Sequence, residues 1–353
     1  MRRRLYVNNL STVLATAQSR LDLINWALDP NHLIDTFEYY DLRSVLGSSS
    51  SNNYAIGNTA SANTLGNFIA QARTAGIPNH VAVMGGFNEN VNNTIAETQM
   101  VNAPYGNKII NSYNAFHSYN PTKCFIGANS GLNLELEYWW NHTNLNGNGQ
   151  PYTNGITAYG FQKWLATGNV TDEVLGNFFV WYSIMASYNR WIQWVKANPG
   201  AGIAPISENY IGFFNPTGYE TFEANTIMVK MFQGLKKLGT INVHAYRAPT
   251  SNSQSLASYA QRVWGYVQTR VGLLGQACAA TYGPASKVSL SLIYSFEGDF
   301  SGPWFSANPT VTIDAFHNAV LACYNAATFA GKANVDIAGY TLFKQTLVRA
   351  IRP

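Results

Sequence analysis

Two carboxylates spaced i and i+2, Glu135 and Glu137, sit in the run Ser130-Gly131-Leu132-Asn133-Leu134-Glu135-Leu136-Glu137-Tyr138-Trp139-Trp140-Asn141. Leucines alternate with Asn133, Glu135 and Glu137, and successive side chains of a strand point to opposite faces. The spacing therefore predicts a strand with all three polar groups on one side. Carboxyls held that close couple their titrations, so one keeps its proton near neutral pH while the other stays ionised, the state general acid catalysis needs. Gly131 before the run and the bulky Tyr138, Trp139 and Trp140 after it predict a far end that opens onto a pocket. A solvated edge strand is the plain alternative.

Such groups act only if a framework aims them, and the chain supplies a regular alternation of strand-like and helix-like segments. Strands are expected at residues 4–9, 33–40 and 80–86, in the run above, and at 202–210, 241–246, 288–296 and 335–343. Pro205 argues against a central place for the fifth of these. Ser11 can cap a helix with Leu14, Ala17, Leu21, Ile24 and Leu28 on one face, ended by Asp29-Pro30. Leu65, Phe68, Ile69 and Ala72 mark a second helix, after a Ser- and Asn-rich loop at 48–63. Further helices are expected at 108–119, 172–198, 219–238, 255–280 and 313–327.

Eight near-continuously apolar strands alternating with helices imply parallel strands covered by helices. The count favours an α/β fold of the closed (β/α)8, TIM-barrel type over an open doubly wound sheet, and no glycine-rich phosphate loop is present. No linker or repeat divides the chain, so residues 1–353 read as a single barrel domain. In such barrels chemistry gathers at the C-terminal ends of the strands, and Glu38, Glu137, Glu208, Tyr246 and Glu297 are expected at that rim. With the leucines of the fourth strand facing helices, Asn133, Glu135 and Glu137 point into the barrel, where an unpaired ionised carboxylate costs several kcal/mol. They must share protons, find hydrogen bonds or be neutral. A buried, satisfied polar layer is the alternative without chemistry.

The run 130–138 resembles the fourth-strand signature of the chitinase-like glycoside hydrolases of family 18, whose pattern is Asp-Gly-Ile-Asp-Ile-Asp-Trp-Glu-Tyr. The general acid of that family falls on Glu137. The Asp that orients the substrate acetamido group and stabilises the oxazolinium intermediate falls on Glu135. Val83-Met84-Gly85-Gly86 is similar to the third-strand Ser-x-Gly-Gly, and Val243-His244-Ala245-Tyr246 to the sixth-strand Met-x-Tyr-Asp, whose Tyr contacts the acetamido group. The segment from Ala338 to Phe343 stands where the eighth strand of the family supplies a floor Trp. Departures are Asn133 and Glu135 for Asp, Val83 for Ser, and Arg247 after the Tyr. The extra methylene of Glu135 moves its carboxylate by about 1 Å, and misplacement on that scale costs about a hundredfold in rate.

The resemblance implies substrate-assisted retaining hydrolysis of N-acetylglucosamine-containing glycans, of the chitinase or endo-β-N-acetylglucosaminidase type, with no cofactor. Glu137 is then the acid, Glu135 its partner, and Tyr246 the holder of the acetamide. Asn133, Trp139, Trp140, Glu208, Glu297 and Phe343 are the expected substrate-binding set. A second enzymatic reading makes Glu297 a nucleophile, which needs carboxyls about 5–5.5 Å apart. The other classes are a non-catalytic, chitolectin-like carbohydrate-binding barrel, with Trp139, Trp140 and Trp304 stacking on sugars, and a structural barrel at the cell surface. Core packing is the alternative for each Trp.

Charged residues make up 11% of the chain and aromatics 14%, and Asn outnumbers Lys and Arg combined. Solubility thus rests on neutral amides and hydroxyls, a composition read as extracellular or cell-surface. The net charge of +4 is scattered with no basic stripe, so no nucleic-acid partner is expected. Met1-Arg2-Arg3-Arg4 begins like a signal peptide, but Tyr6-Val7-Asn8-Asn9 interrupts the apolar core that should follow, which favours a basic first turn. No run is long enough to span a bilayer. Cys124, Cys278 and Cys323 have no metal-type spacing and read as free thiols, and the six histidines do not cluster, so no metal is expected. His244, two residues before Tyr246, can line the same cavity.

Overall fold

The computed structural model describes residues 1–40, 42, 45, 59–84, 131–136, 210–213 and 240–352. Its strands are β1 (Arg2–Val7), β2 (Thr36–Tyr39), β3 (Asn79–Met84), β4 (Gly131–Leu136), β5 (Tyr210–Phe213), β6 (Thr240–His244), β7 (Val288–Ser295) and β8 (Val335–Phe343). Each pairs in parallel with the next, and β1 pairs with β8, so the sheet closes on itself. The fold is α/β with an all-parallel sheet. Helices α1 (Leu10–Leu14) and α2 (Ala17–Leu28) follow β1, α3 (Thr59–Ala75) follows β2, and α4 (Leu256–Tyr282) follows β6. Helices α5 (Gly302–Ala307) and α6 (Ile313–Ala326) follow β7, and α7 (Gln345–Ile351) follows β8. The helices expected at 108–119, 172–198 and 219–238 lie outside the described residues.

Alternation along the strands sorts the core into two parts. Leu5 and Val7, Phe37 and Tyr39, Ile241 and Val243, Leu290 and Leu292, and Leu342 point outward into the layer under the helices, all fully buried. Helix α4 presents Tyr259, Val263, Val267, Val271, Leu274 and Cys278 to that layer at three- and four-residue spacing. Ser255 caps it, accepting from the Ser258 N–H, and Thr312 caps α6 in the same way.

Several boundaries differ from those expected. The helix expected from Ser11 is broken: Thr16 and Ser19 form a capping box that starts α2 anew, and this turns Leu21 outward at 38% exposed while Leu23, Ile24 and Ala27 are buried. The end of the expected loop at 48–63 is helical from Thr59. The fifth strand is described as Tyr210–Phe213, and the rest of the expected 202–210, with Glu208, lies outside the described residues. Arg2, Arg3 and Arg4 are strand residues, not a basic turn. Arg3 grips Asp314 of α6 with Nε at 2.9 Å from Oδ1 and Nη2 at 2.7 Å from Oδ2, and the Tyr340 hydroxyl donates to the same carboxylate at 2.7 Å. The closing seam is tight: a Cβ on Gly339 would lie 2.0 Å from the Arg2 carbonyl oxygen. Among the described residues no helix is long and apolar enough to cross a membrane.

Candidate functional site

The inner faces of the strands carry polar groups. Arg4 of β1, Glu38 of β2, Asn133 of β4, Asn242 of β6, Ser291 of β7 and Thr341 of β8 are all fully buried. Arg4 and Tyr6 alternate with Leu5 and Val7, so the basic start of the chain delivers one guanidinium to the barrel interior. Tyr6 stands in register with Glu38, and Val83 with Asn133.

Asn133 joins three strands. Its Nδ2 donates to the Tyr6 hydroxyl and, at 3.2 Å, to Glu38 Oε2. That contact fixes the direction of β4: the side carrying Asn133 faces inward. Burial pushes the Glu38 carboxyl up to about 7, because the charge of Arg4 and the polar groups of Asn133, Tyr6 and Thr341 offset its lost hydration only in part. Glu38, expected at the rim, is thus an interior group that changes charge near neutral pH. Beside the same carboxyl the Thr341 hydroxyl lies 3.0 Å from that of Ser291.

Past this polar interior, the C-terminal strand ends bear an arc of rings, half-buried except for the fully buried Tyr6. Tyr40 lies 6.2 Å from Tyr6, Tyr6 meets Phe343 edge-on at 5.5 Å, and Phe343 lies 5.8 Å from Tyr246. Tyr246 stacks on His244 at 4.4 Å and 16°, with Phe300 on another side at 5.1 Å. Val83 and Ile293 pack against these rings. Burial and the nearby Arg270 charge hold His244 well below its ordinary value, so it is neutral at pH 7. Beside the arc, Glu297 takes the Lys344 ammonium on Oε1 and the Ser295 hydroxyl on Oε2 at 3.1 Å. Lys344 reaches it from a left-handed backbone, φ 64°, directly after β8.

Of the expected site residues, Tyr246, Phe343 and Glu297 therefore meet at one mouth, and Asn133 lies inside the sheet that leads to it. Glu135 is a backbone position of β4 opposite Gly212. Glu137, Trp139, Trp140 and Glu208 lie outside the described residues. Trp304 is not a rim residue: it is fully buried, its Nε1 donates to the Gln254 carbonyl at 2.8 Å, and it packs on Tyr259 and Phe316. Tyr6, Tyr40 and Arg4 escaped the sequence reading, although the alternation Arg4-Leu5-Tyr6-Val7 carries the signal for two of them. His80 and His317 are buried partners of the Tyr39 and Tyr294 hydroxyls, each at 2.8 Å. Among the described residues no group of three His, Cys, Asp or Glu is placed to hold a metal.

An arc of rings beside a pinned carboxylate can stack a flat, hydroxyl-bearing ligand and bond to its edge. Comparison of the chain with family models, with curated proteins and with solved structures returns no match.

Proposed function

We propose that the chain is a (β/α)8-barrel glycoside hydrolase acting on N-acetylglucosamine-containing glycans. The observation that carries this reading is the inward bond of Asn133 to Glu38 and Tyr6. Sequence alternation assigns Glu135 and Glu137 to the same strand side, toward the mouth where Tyr246 and Phe343 lie. In this mechanism Glu137 gives its proton to the glycosidic oxygen, the substrate's own N-acetyl oxygen attacks the sugar carbon, and Tyr246 steadies the acetamide. Neutral, aromatic surroundings suit an uncharged sugar. Glu297, already occupied by Lys344 and Ser295, serves better as a binding group than as a nucleophile.

A barrel that binds such glycans without cleaving them is the second reading, favoured by the ring arc together with the extra methylene that Glu135 has over an Asp. Incubation with N-acetylglucosamine oligomers and N-glycans separates the two. New reducing ends support the hydrolase, binding without them supports the lectin, and neither result rejects both.

A further inference from the structure

We propose, on the hydrolase reading above, that Glu38 is a positioning residue for the acid pair of β4 and acts on it through a half-turn of the Asn133 side-chain amide. Asn133 is fully buried, and its Nδ2 donates to both the Tyr6 hydroxyl and Glu38 Oε2. Its Oδ1 is left without a partner among the described residues. A buried carbonyl oxygen with no donor is rare in a folded chain.

The groups already touching the amide can supply that donor. An ionised carboxylate only accepts, so it holds Nδ2, whereas a protonated one offers an O–H that Oδ1 takes once the amide has turned. The Tyr6 hydroxyl accepts from the amide in the first arrangement and donates to it in the second, so the contact survives the turn. Proton on Glu38 and direction of the amide thus change together. Around Glu38, Arg4 and Tyr6 come from β1, Asn133 from β4 and Thr341 from β8, while β3 sets the apolar Val81 beside it. Burial outweighs the charge of Arg4, and the two forms interchange at about pH 7. By alternation Glu135 shares the strand side of Asn133, two residues nearer the mouth. A buried charge at Glu38 and a reversed amide dipole at Asn133 both alter the proton affinity of a carboxyl at that range.

The test follows the full chain by NMR from about pH 5 to about pH 9, with 13C in the glutamate side-chain carboxyls and 15N in the asparagine side chains. The Asn133 amide and Glu135 carboxyl signals should each step at the midpoint of the Glu38 carboxyl, and both steps should be absent from Glu38→Gln. Turnover of N-acetylglucosamine oligomers gives the second readout. The introduced amide offers an N–H and holds the low-pH arrangement, so the ratio of unaltered to Glu38→Gln kcat should be constant below about pH 6 and change at least about threefold by about pH 8, with KM within about twofold. A purely structural role would scale the rate equally at every pH. An Asn133 or Glu135 signal that ignores the Glu38 midpoint, or a rate ratio constant across that range, overturns the proposal. A chain that shows both steps and cleaves no oligomer rejects the hydrolase reading and leaves the coupling of Glu38 to Glu135 standing.

Discussion

Asn133 Nδ2 lies 3.2 Å from Glu38 Oε2, a contact between strands four and two that crosses the interior of the closed sheet. It ties a protonable carboxyl to the strand that bears the expected catalytic pair. Folded Glu38 keeps its proton up to about pH 7, against an ordinary value of 4.5. Between those values the folded chain binds more protons than the unfolded one, so rising pH lowers stability across that window. Removing the titration removes the effect. Relative to the unaltered chain, Glu38→Gln should be roughly 3 kcal/mol more stable at pH 8 than at pH 4, read from urea midpoints.

His317 sets the opposite slope. Its ring accepts from or donates to the Tyr294 hydroxyl, and burial pushes it down to about 4 from an ordinary 6.5. The unfolded chain takes up this proton first as pH falls, so the contribution is complete above pH 6.5 and is lost on the way down through pH 4. His317→Gln should cost about 1–2 kcal/mol at pH 7, and that deficit should shrink or reverse at pH 4.

Closure of the sheet depends on Gly339. A methyl there meets the Arg2 backbone, and backbone on both sides of the seam leaves no flexible side chain to move away. Gly339→Ala should therefore lower stability by about 2 kcal/mol or more, measured by thermal unfolding. Gly265→Ala, in open space within α4, is the comparison and should raise stability by up to about 1 kcal/mol.

Tyr246 separates chemistry from packing. Its ring contacts with His244, Phe300 and Phe343 do not involve the hydroxyl. Tyr246→Phe keeps all three ring contacts, so the variant should fold while turnover of N-acetylglucosamine oligomers falls about a hundredfold, the scale for losing one donor aimed at a developing charge.

Much of the frame was legible because local signals were strong. Val335–Phe343 is found where its apolar run and flanking turns put it, and Ser255 caps the helix its sequence position suggests. Residues 2–4 misled because three arginines in a row mimic a solvated end, while alternation sends Arg3 to Asp314 and Arg4 to the interior. The break at Thr16 arises from a capping box whose second partner, Ser19, is a weaker signal than the usual Glu or Gln. Glu38 read as a rim group because its position in the strand was visible but its neighbours Arg4, Tyr6 and Asn133, from distant segments, were not. Trp304 misled for the same reason: burial by Tyr259 and Phe316 is a tertiary fact.

The decisive measurement concerns the acid itself. Purified Glu137→Gln should release no reducing ends from N-acetylglucosamine oligomers that the unaltered chain cleaves, yet bind them with an affinity within about threefold of it, since the amide keeps the shape and loses only the proton. A Glu137→Gln variant that turns substrate over at the unaltered rate would contradict the account.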